Sequence, residues 1–190
     1  MSQIKKIGVV GAGNMGSGIV QKIAQEGIPV VMVDLKDEFV QRGLGTIRRL
    51  LQEGVERKIF KPEQVDQILS RVTGTTDFKA LADADIVIEA VFEDKQVKTD
   101  LFQRLDRICS PKTILATNTS SFYVREFADK TSRPDRFVGL HYFYHPAKNR
   151  LVEVIPGAAT SPEVMAAAWT VQEMMGKTPI HSADASGFIV

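Results

Sequence analysis

The 190 residues hold one cysteine, Cys109, one tryptophan and three histidines. A lone thiol excludes a disulfide within the chain and cannot build a cysteine-based metal site, so a reducing, cytoplasmic setting is the default expectation. His141, His145 and His181 show no ligand spacing among themselves or with the acids, and no metal is expected. Charge of one sign is also missing. The 24 Lys and Arg against 23 Asp and Glu leave a net +1, so no polyanion is steered to the surface, and neither nucleic acid nor a membrane surface is an expected partner. No run approaches the roughly 20 apolar residues that cross a bilayer. The chain enters its first strand almost at once and leaves no room for a signal or transit peptide. No repeat, low-complexity segment or linker divides it. What remains, 44% hydrophobic and 25% charged residues, is ordinary globular chain, long enough for one full domain and marginal for two.

The most informative stretch is I-K-K-I-G-V-V-G-A-G-N-M-G, Ile4 to Gly16. A short apolar strand, Ile7 to Val10, runs into Gly11, Gly13 and Gly16, and a helical pattern with Ile19, Ile23 and Ala24 on one side follows. In a dinucleotide fold the first glycine allows the tight turn, the second admits the pyrophosphate and the third lets helix and strand pack closely. The helix start offers unpaired N–H groups and partial positive charge to phosphates. Asn14 and Met15 lie between the second and third glycines. The next strand, Val30 to Val33, ends in Asp34, near the roughly 20-residue spacing expected of a ribose-binding acid. That context lifts the motif above a glycine-rich turn without a ligand.

Strands then alternate with amphipathic helices, which predicts an α/β, Rossmann-type, doubly wound and mostly parallel sheet occupying residues 1–190 as one domain. Glu38 to Lys58 reads as a long helix with Phe39, Leu44, Ile47, Leu50, Leu51 and Val55 as its apolar positions. Pro62 opens a second helix, continued by Gln64 to Ser70. The pair reads as a projecting helical hairpin inserted after the second strand. It carries Arg48, Arg49, Arg57, Lys58 and Lys61, either a seat for a phosphorylated ligand or a solvated basic face. Further strands are expected at Val72–Thr76, Asp85–Ala90, Thr113–Thr117, Arg136–Tyr142, Leu151–Ile155 and Pro179–Ser182. A helix over Lys95–Ile108 places Val97, Leu101, Phe102, Leu105 and Ile108 at apolar spacing, and another covers Pro162–Met175 with Gly176 as its C-cap. The closing S-G-F-I-V is apolar and reads as a domain cut from a longer chain.

Ligands of an open parallel sheet bind beyond the carboxyl ends of its strands. The residues there are Gly11–Gly16, Asp34, Ala90–Glu93, Asn118–Ser121 and His141 onward. Asn118, Thr119, Ser120 and Ser121 gather four polar side chains at one strand end beside the nucleotide site. Helix capping is the competing reading for any one of them, and Ser121 in particular is placed to cap a turn beginning at Phe122. His141 ends the sixth strand with a side chain able to take and return a proton near neutrality. Glu153, between apolar neighbours on the next strand, is explained if it bonds one ring nitrogen of His141, fixing its tautomer and stabilising the imidazolium. A core histidine and a solvated edge-strand acid are the bland alternative. His145 also stays open as the base, because a strand continued to it would place it on the same face as His141.

Taken together, G-x-G-x-x-G with Asp34, E-A-V-F-E-D-K-Q-V-K, A-T-N-T-S-S, R-F-V-G-L-H-Y-F, L-V-E-V-I and S-G-F-I-V, in this order, resemble the N-terminal NAD-binding domain of L-3-hydroxyacyl-CoA dehydrogenases, the 3-hydroxybutyryl-CoA dehydrogenases included. The resemblance runs over essentially the whole chain. It implies NAD-dependent oxidation of an L-3-hydroxyacyl-CoA to the 3-oxoacyl-CoA, as in fatty acid β-oxidation, with His141 as base and Glu153 as its partner. It implies that Ser120 bonds the substrate oxygen and that Asp34 binds the adenosine ribose, which favours NAD over NADP. Glu93 and Lys98 would lie along the cofactor with Gly11, Gly13, Asn14, Met15, Gly16 and Asn118. Arg57 would fall near the basic contact with CoA. The family's H-F-F-N-P is here H-Y-F-Y-H-P, so Tyr144 stands where the family has an asparagine that touches the cofactor. A C-terminal helical domain for acyl binding and homodimerisation would lie outside these 190 residues, and the fragment alone would bind NADH with little turnover. Two other functions stay open: a sugar-acid dehydrogenase of the gulonate type on the same scaffold, and a nucleotide-binding module without turnover.

Overall fold

In the structure, a computed structural model, residues 4–189 are described. Eight strands, β1 (Ile7–Val10), β2 (Val30–Val33), β3 (Val72–Thr75), β4 (Ile86–Glu89), β5 (Ile114–Thr117), β6 (Phe137–Tyr142), β7 (Leu151–Pro156) and β8 (Thr178–His181), form one sheet in the order β3-β2-β1-β4-β5-β6-β7-β8. Every neighbouring pair is parallel except β6 and β7. The helices are α1 (Asn14–Gln25), α2 (Asp37–Glu56), α3 (Pro62–Leu69), α4 (Lys95–Ile108), α5 (Val124–Ala128) and α6 (Pro162–Met174). The chain winds outward through β2 and β3, then returns to start β4 on the other side of β1. The carboxyl ends of β1 and β4 therefore make the switch point, where such sheets bind ligands.

The central strands are apolar on both faces because helices cover both. Period 2 sends Ile7, Val9, Ile86, Ile88, Ile114 and Ala116 to the layer of α1, α2, α3 and α6. Val10, Val87 and Leu115 turn the other way, toward α4 and α5. On that second side Phe102 anchors the packing, its ring 4.6 Å from Phe137 and 5.8 Å from Phe127. The hairpin after β2 is present, but its helices do not stand clear of the domain: Ile47 and Leu51 of α2 and Val65 and Ile68 of α3 join the same core as Ile19 and Ile23 of α1. Gly176, with φ +62, follows α6 where the left-handed terminator was expected.

Two expectations need correction. Val97 is 47% exposed, and the buried stripe of α4 is Lys98, Leu101, Phe102 and Leu105. That is still i, i+3, i+4, i+7 spacing, with a lysine where an apolar residue was expected, because two carboxylates wait for it beneath the helix. Nor does Ser121 cap the following turn. The short helix α5, not foreseen, starts at Val124, and the carboxylate of Asp184 accepts from the N–H groups of Val124 at 2.7 Å and Arg125 at 3.1 Å. Among the described residues no helix is long and apolar enough to cross a membrane.

Candidate active site

The glycine loop is shaped by two contacts and one opening. Gly11 has φ +109, and a Cβ there would lie 2.4 Å from the Ala90 carbonyl oxygen. A Cβ on Gly16 would lie 1.8 Å from the Gly11 carbonyl oxygen, so helix and strand can approach only with glycine at that point. A Cβ on Gly13 would meet nothing within 4 Å. No part of the chain itself therefore requires a glycine at position 13, and the space over it suits a group that approaches the backbone from outside. Gly13 is also the N-cap of α1 and no side chain caps it, which leaves the first amides of the helix facing that space. Asn14 and Met15 form the first turn, Asn14 exposed and Met15 half-buried against the neighbouring cavity. The half-buried Asp34 carboxylate accepts from the Ala12 N–H at 2.7 Å and the Leu35 N–H at 2.6 Å. It thus fastens the loop as well as presenting charge beside it. The exposed loop backbone and the acid at the end of β2 are the two features a dinucleotide needs, and the residues fit that group.

Beside the loop opens a cavity of about 340 Å³, and Met15, Glu93, Asn118, Ser120, His141 and Tyr144 are among its lining residues. The ends of β4 and β5 are locked under it by ionic groups. Glu89 is fully buried, accepts from the Val91 N–H at 2.8 Å and the Thr117 hydroxyl at 2.7 Å, and pairs with the Lys98 ammonium at 2.5 Å. Lys98, itself 1% exposed, reaches Glu93 at 3.1 Å. Glu93 accepts from the Thr119 hydroxyl and from the Ser120 N–H at 3.1 Å. Burial opposes the ionised form of Glu93, but the bonds from Thr119 and Ser120 and the charge of Lys98 outweigh it and hold the carboxyl below its ordinary range. Lys98 is thus not a surface along which a cofactor lies. Its ammonium is committed to two carboxylates, and it acts on the cavity only by fixing Glu93. Glu89 escaped the sequence reading, although an acid ending the apolar run I-V-I-E was its signal.

Asn118 accepts the Tyr142 N–H at 2.9 Å through Oδ1 and so joins the ends of β5 and β6. Ser120 is exposed at the cavity, its Oγ 3.2 Å from that of Ser121. His141 stands directly across from Glu153 in the β6–β7 register. Their side chains meet, Nδ1 of the ring 2.6 Å from Oε2 of the fully buried carboxylate. A carboxylate can only accept, so Nδ1–H is the donor of this bond, and in the neutral imidazole Nε2 keeps its lone pair. Phe143 packs against the imidazole with centroids 4.5 Å apart. His141 and Ser120 thereby line one cavity beside the glycine loop, with Glu153 buried behind the imidazole.

The other histidines have different surroundings. β6 ends at Tyr142, so His145 lies beyond the strand, and it faces Lys148 and the α2 charges Arg49 and Glu53 instead of Glu153. Burial, with help from Lys148, holds its imidazole below the ordinary histidine range. His181 stacks on Trp169 with centroids 4.5 Å apart. Arg57 follows the last turn of α2, exposed and away from the cavity lining. Arg48 and Arg49 have acidic neighbours, Asp66 at 3.8 Å and Glu53 at 2.5 Å, while Arg57 and Lys58 have none among the described residues. Burial pushes the Cys109 thiol up to about 11, which leaves it protonated and inert. No cluster of His, Cys, Asp and Glu able to hold a metal occurs among the described residues.

A doubly wound sheet with an open glycine turn, an acid just after β2 and a hydrogen-bonded His–Glu pair across β6 and β7 is the architecture of a dinucleotide-dependent oxidoreductase domain. Residues 6–185 match the family model described as 3-hydroxyacyl-CoA dehydrogenase, NAD binding domain, and the chain belongs to that family. It is 41% identical over 184 residues to a probable 3-hydroxybutyryl-CoA dehydrogenase of Deinococcus radiodurans, covering 97% of this chain and 66% of that one. It is 39% identical over 189 residues to a fatty acid oxidation complex subunit alpha of Shewanella baltica, covering 99% of this chain and 27% of the relative. The crystal structure of (S)-3-hydroxybutyryl-CoA dehydrogenase from Ralstonia eutropha superposes with a TM-score of 0.97 at 38% identity, over 99% of this chain and 66% of the other. The chain thus spans at most about two thirds of the length of these relatives.

Proposed function

We propose that this chain is the cofactor-binding and proton-transfer part of an NAD-dependent L-3-hydroxyacyl-CoA dehydrogenase, with the His141–Glu153 pair opening on the cavity as the observation that carries the reading. NAD, when bound, supplies the acceptor for the hydride that leaves the carbon bearing the hydroxyl. Ser120 holds the substrate oxygen at the cavity mouth. His141 Nε2 takes the hydroxyl proton as the carbonyl forms, and Glu153 stabilises the imidazolium through Nδ1. In the reverse direction the same nitrogen returns the proton. The α1 N-terminus and Gly13 seat the pyrophosphate, Asp34 accepts from the ribose hydroxyls, and Glu93 and Asn118 shape the far end of the cofactor site. Arg57, exposed after α2 and without an acidic partner among the described residues, meets the phosphates of CoA in this reading.

The relatives' extra length supports placing acyl-chain binding and homodimer contacts outside these 190 residues. The single buried cysteine fits a reducing, cytoplasmic setting. The test is to follow NADH consumption with acetoacetyl-CoA and NADH formation from NAD with gulonate, using this chain and the longer protein that carries it. Turnover of acetoacetyl-CoA by the longer protein and NADH binding with little turnover by the 190 residues are expected. Turnover of the sugar acid alone would overturn the substrate assignment.

A further inference from the structure

Glu153 divides its two oxygens. Oε2 meets His141, and Oε1 accepts the backbone N–H of Ile189 at 2.8 Å. The terminal torsion of a glutamate is broad and roughly two-fold, so one hydrogen bond does not fix the carboxylate plane. Two do. The plane of Glu153 sets the direction of the Nδ1–H bond and thus where Nε2 points into the cavity.

The segment that supplies the second bond is itself held. At its start Asp184 accepts from the Val124 and Arg125 N–H groups, and the Arg125 guanidinium lies 3.5 Å from Oδ2 and 3.3 Å from the Asp184 carbonyl. It then turns through Gly187, φ +78, and Phe188, φ +53, with the Phe188 N–H on the Ala185 carbonyl at 3.2 Å. A phenylalanine in the left-handed region is uncommon. Its ring packs on the core of the α4 and α5 side and stands 5.5 Å, centroid to centroid, from the imidazole of His141.

We infer that Asp184–Ile189 is a strap that positions the His141–Glu153 pair, with the Ile189 N–H as the group that fixes the carboxylate. The inference rests on His141 being the base. Because Asp184 caps the helix that follows the Ser120–Ser121 turn, one short segment ties the substrate-oxygen side of the site to the proton-transfer side. Asp184, Phe188 and Ile189 are positioning residues; none of them is asked to touch the reacting atoms.

The Ile189 side chain is 62% exposed, so its packing contributes little and its N–H can be tested separately. The experiment is NMR on the 190-residue chain labelled at histidine, without substrate. In the parent and in Ile189→Val, which keeps the N–H, the His141 Nδ1 proton gives a downfield signal protected from exchange with water. In Ile189→Pro, which removes the donor, and in Asp184→Ala, which frees the strap at its other end, that signal is lost while thermal unfolding stays cooperative and NADH affinity is unchanged. If the proline variant does not fold, Asp184→Ala decides. Persistence of the protected proton in either folded variant would overturn the strap. Failure to turn over acetoacetyl-CoA would count against the proposed reaction alone, since the NMR signal reads the pair without substrate.

Discussion

His141 and Glu153 are a directly opposed pair across the one antiparallel step of the sheet, 2.6 Å from Nδ1 to Oε2. The reversal matters. A parallel partner for β6 would need a long crossover, whereas β7 returns at once and brings its acid back to the imidazole. Glu153→Gln preserves shape and can still offer its one oxygen to Nδ1–H, but it loses the acceptor for the Ile189 N–H and withdraws the charge that stabilises the imidazolium. Turnover should fall by about 10²- to 10⁴-fold, with NADH affinity unchanged. His141→Gln should abolish turnover, and His145→Gln should not. Should the His145 variant prove the inactive one, the wrong base has been named.

Asp34 has two roles in the structure. Besides facing the nucleotide site it holds the Ala12 N–H of the glycine loop. Asp34→Ala is therefore expected to weaken NADH binding in a fluorescence titration and also to lower stability by about 1 kcal/mol, the usual size of one such hydrogen bond. Asp34→Asn, which keeps an oxygen for Ala12, should recover the stability and only part of the affinity. An unchanged NADH affinity in Asp34→Ala would remove the acid from the site.

The strands were readable because each central one is a near-continuous apolar run such as V-V-M-V, and the glycine spacing located the switch point beside β1. Ser120, His141 and Glu153 stood out as polar residues at strand ends or between apolar neighbours. What escaped depends on partners distant in sequence. Helical periodicity put Val97 inside and the resemblance put Lys98 along the cofactor; only the fold shows Glu89 and Glu93 converging on Lys98 beneath α4. Local rules offered Ser121 as a cap, and nothing near Val124 announces that Asp184 does the capping. The double use of Asp34 is hidden for the same reason, since its contact with Ala12 exists only once β1 and β2 are paired.

Lys98→Met would leave Glu89 and Glu93 without their shared cation, and removing one partner of a buried ion pair costs about 3–5 kcal/mol. The pH dependence checks the cause. In the parent the Glu93 carboxyl is held below its ordinary range, so its contribution is present above the unfolded carboxylate pKa of about 4.3 and is lost as acid protonates the folded state. In the variant Lys98 no longer helps to lower that pKa, the bonds from Thr119 and Ser120 alone oppose burial, and protonation relieves the repulsion between Glu89 and Glu93. The gap between the two proteins in urea unfolding should be wide at neutral pH and narrow on acidification. A gap of equal size at both would mean that lost packing, not charge, is responsible.

Lys177, just before β8, provides a second electrostatic test, because it fastens the loop that carries Tyr144 to the cavity. Its ammonium donates to the Pro146 carbonyl and, at 2.7 Å, to the Asn149 carbonyl. Burial, with a smaller contribution from Lys22, lowers its pKa to about 8. An unfolded lysine titrates near 10.4, so below about pH 8 both states are charged and the cost of burying the ammonium is present in full. Between about 8 and about 10.4 the folded state loses its proton first, and unfolding free energy should climb with pH. A neutral amine still has hydrogens for both carbonyls, so the loop stays fastened. Lys177→Met should lack that climb and be less stable throughout, because two buried carbonyls lose their donor. Denaturant unfolding of parent and variant across this pH window compares the slopes directly, and equal slopes would contradict the lowered pKa.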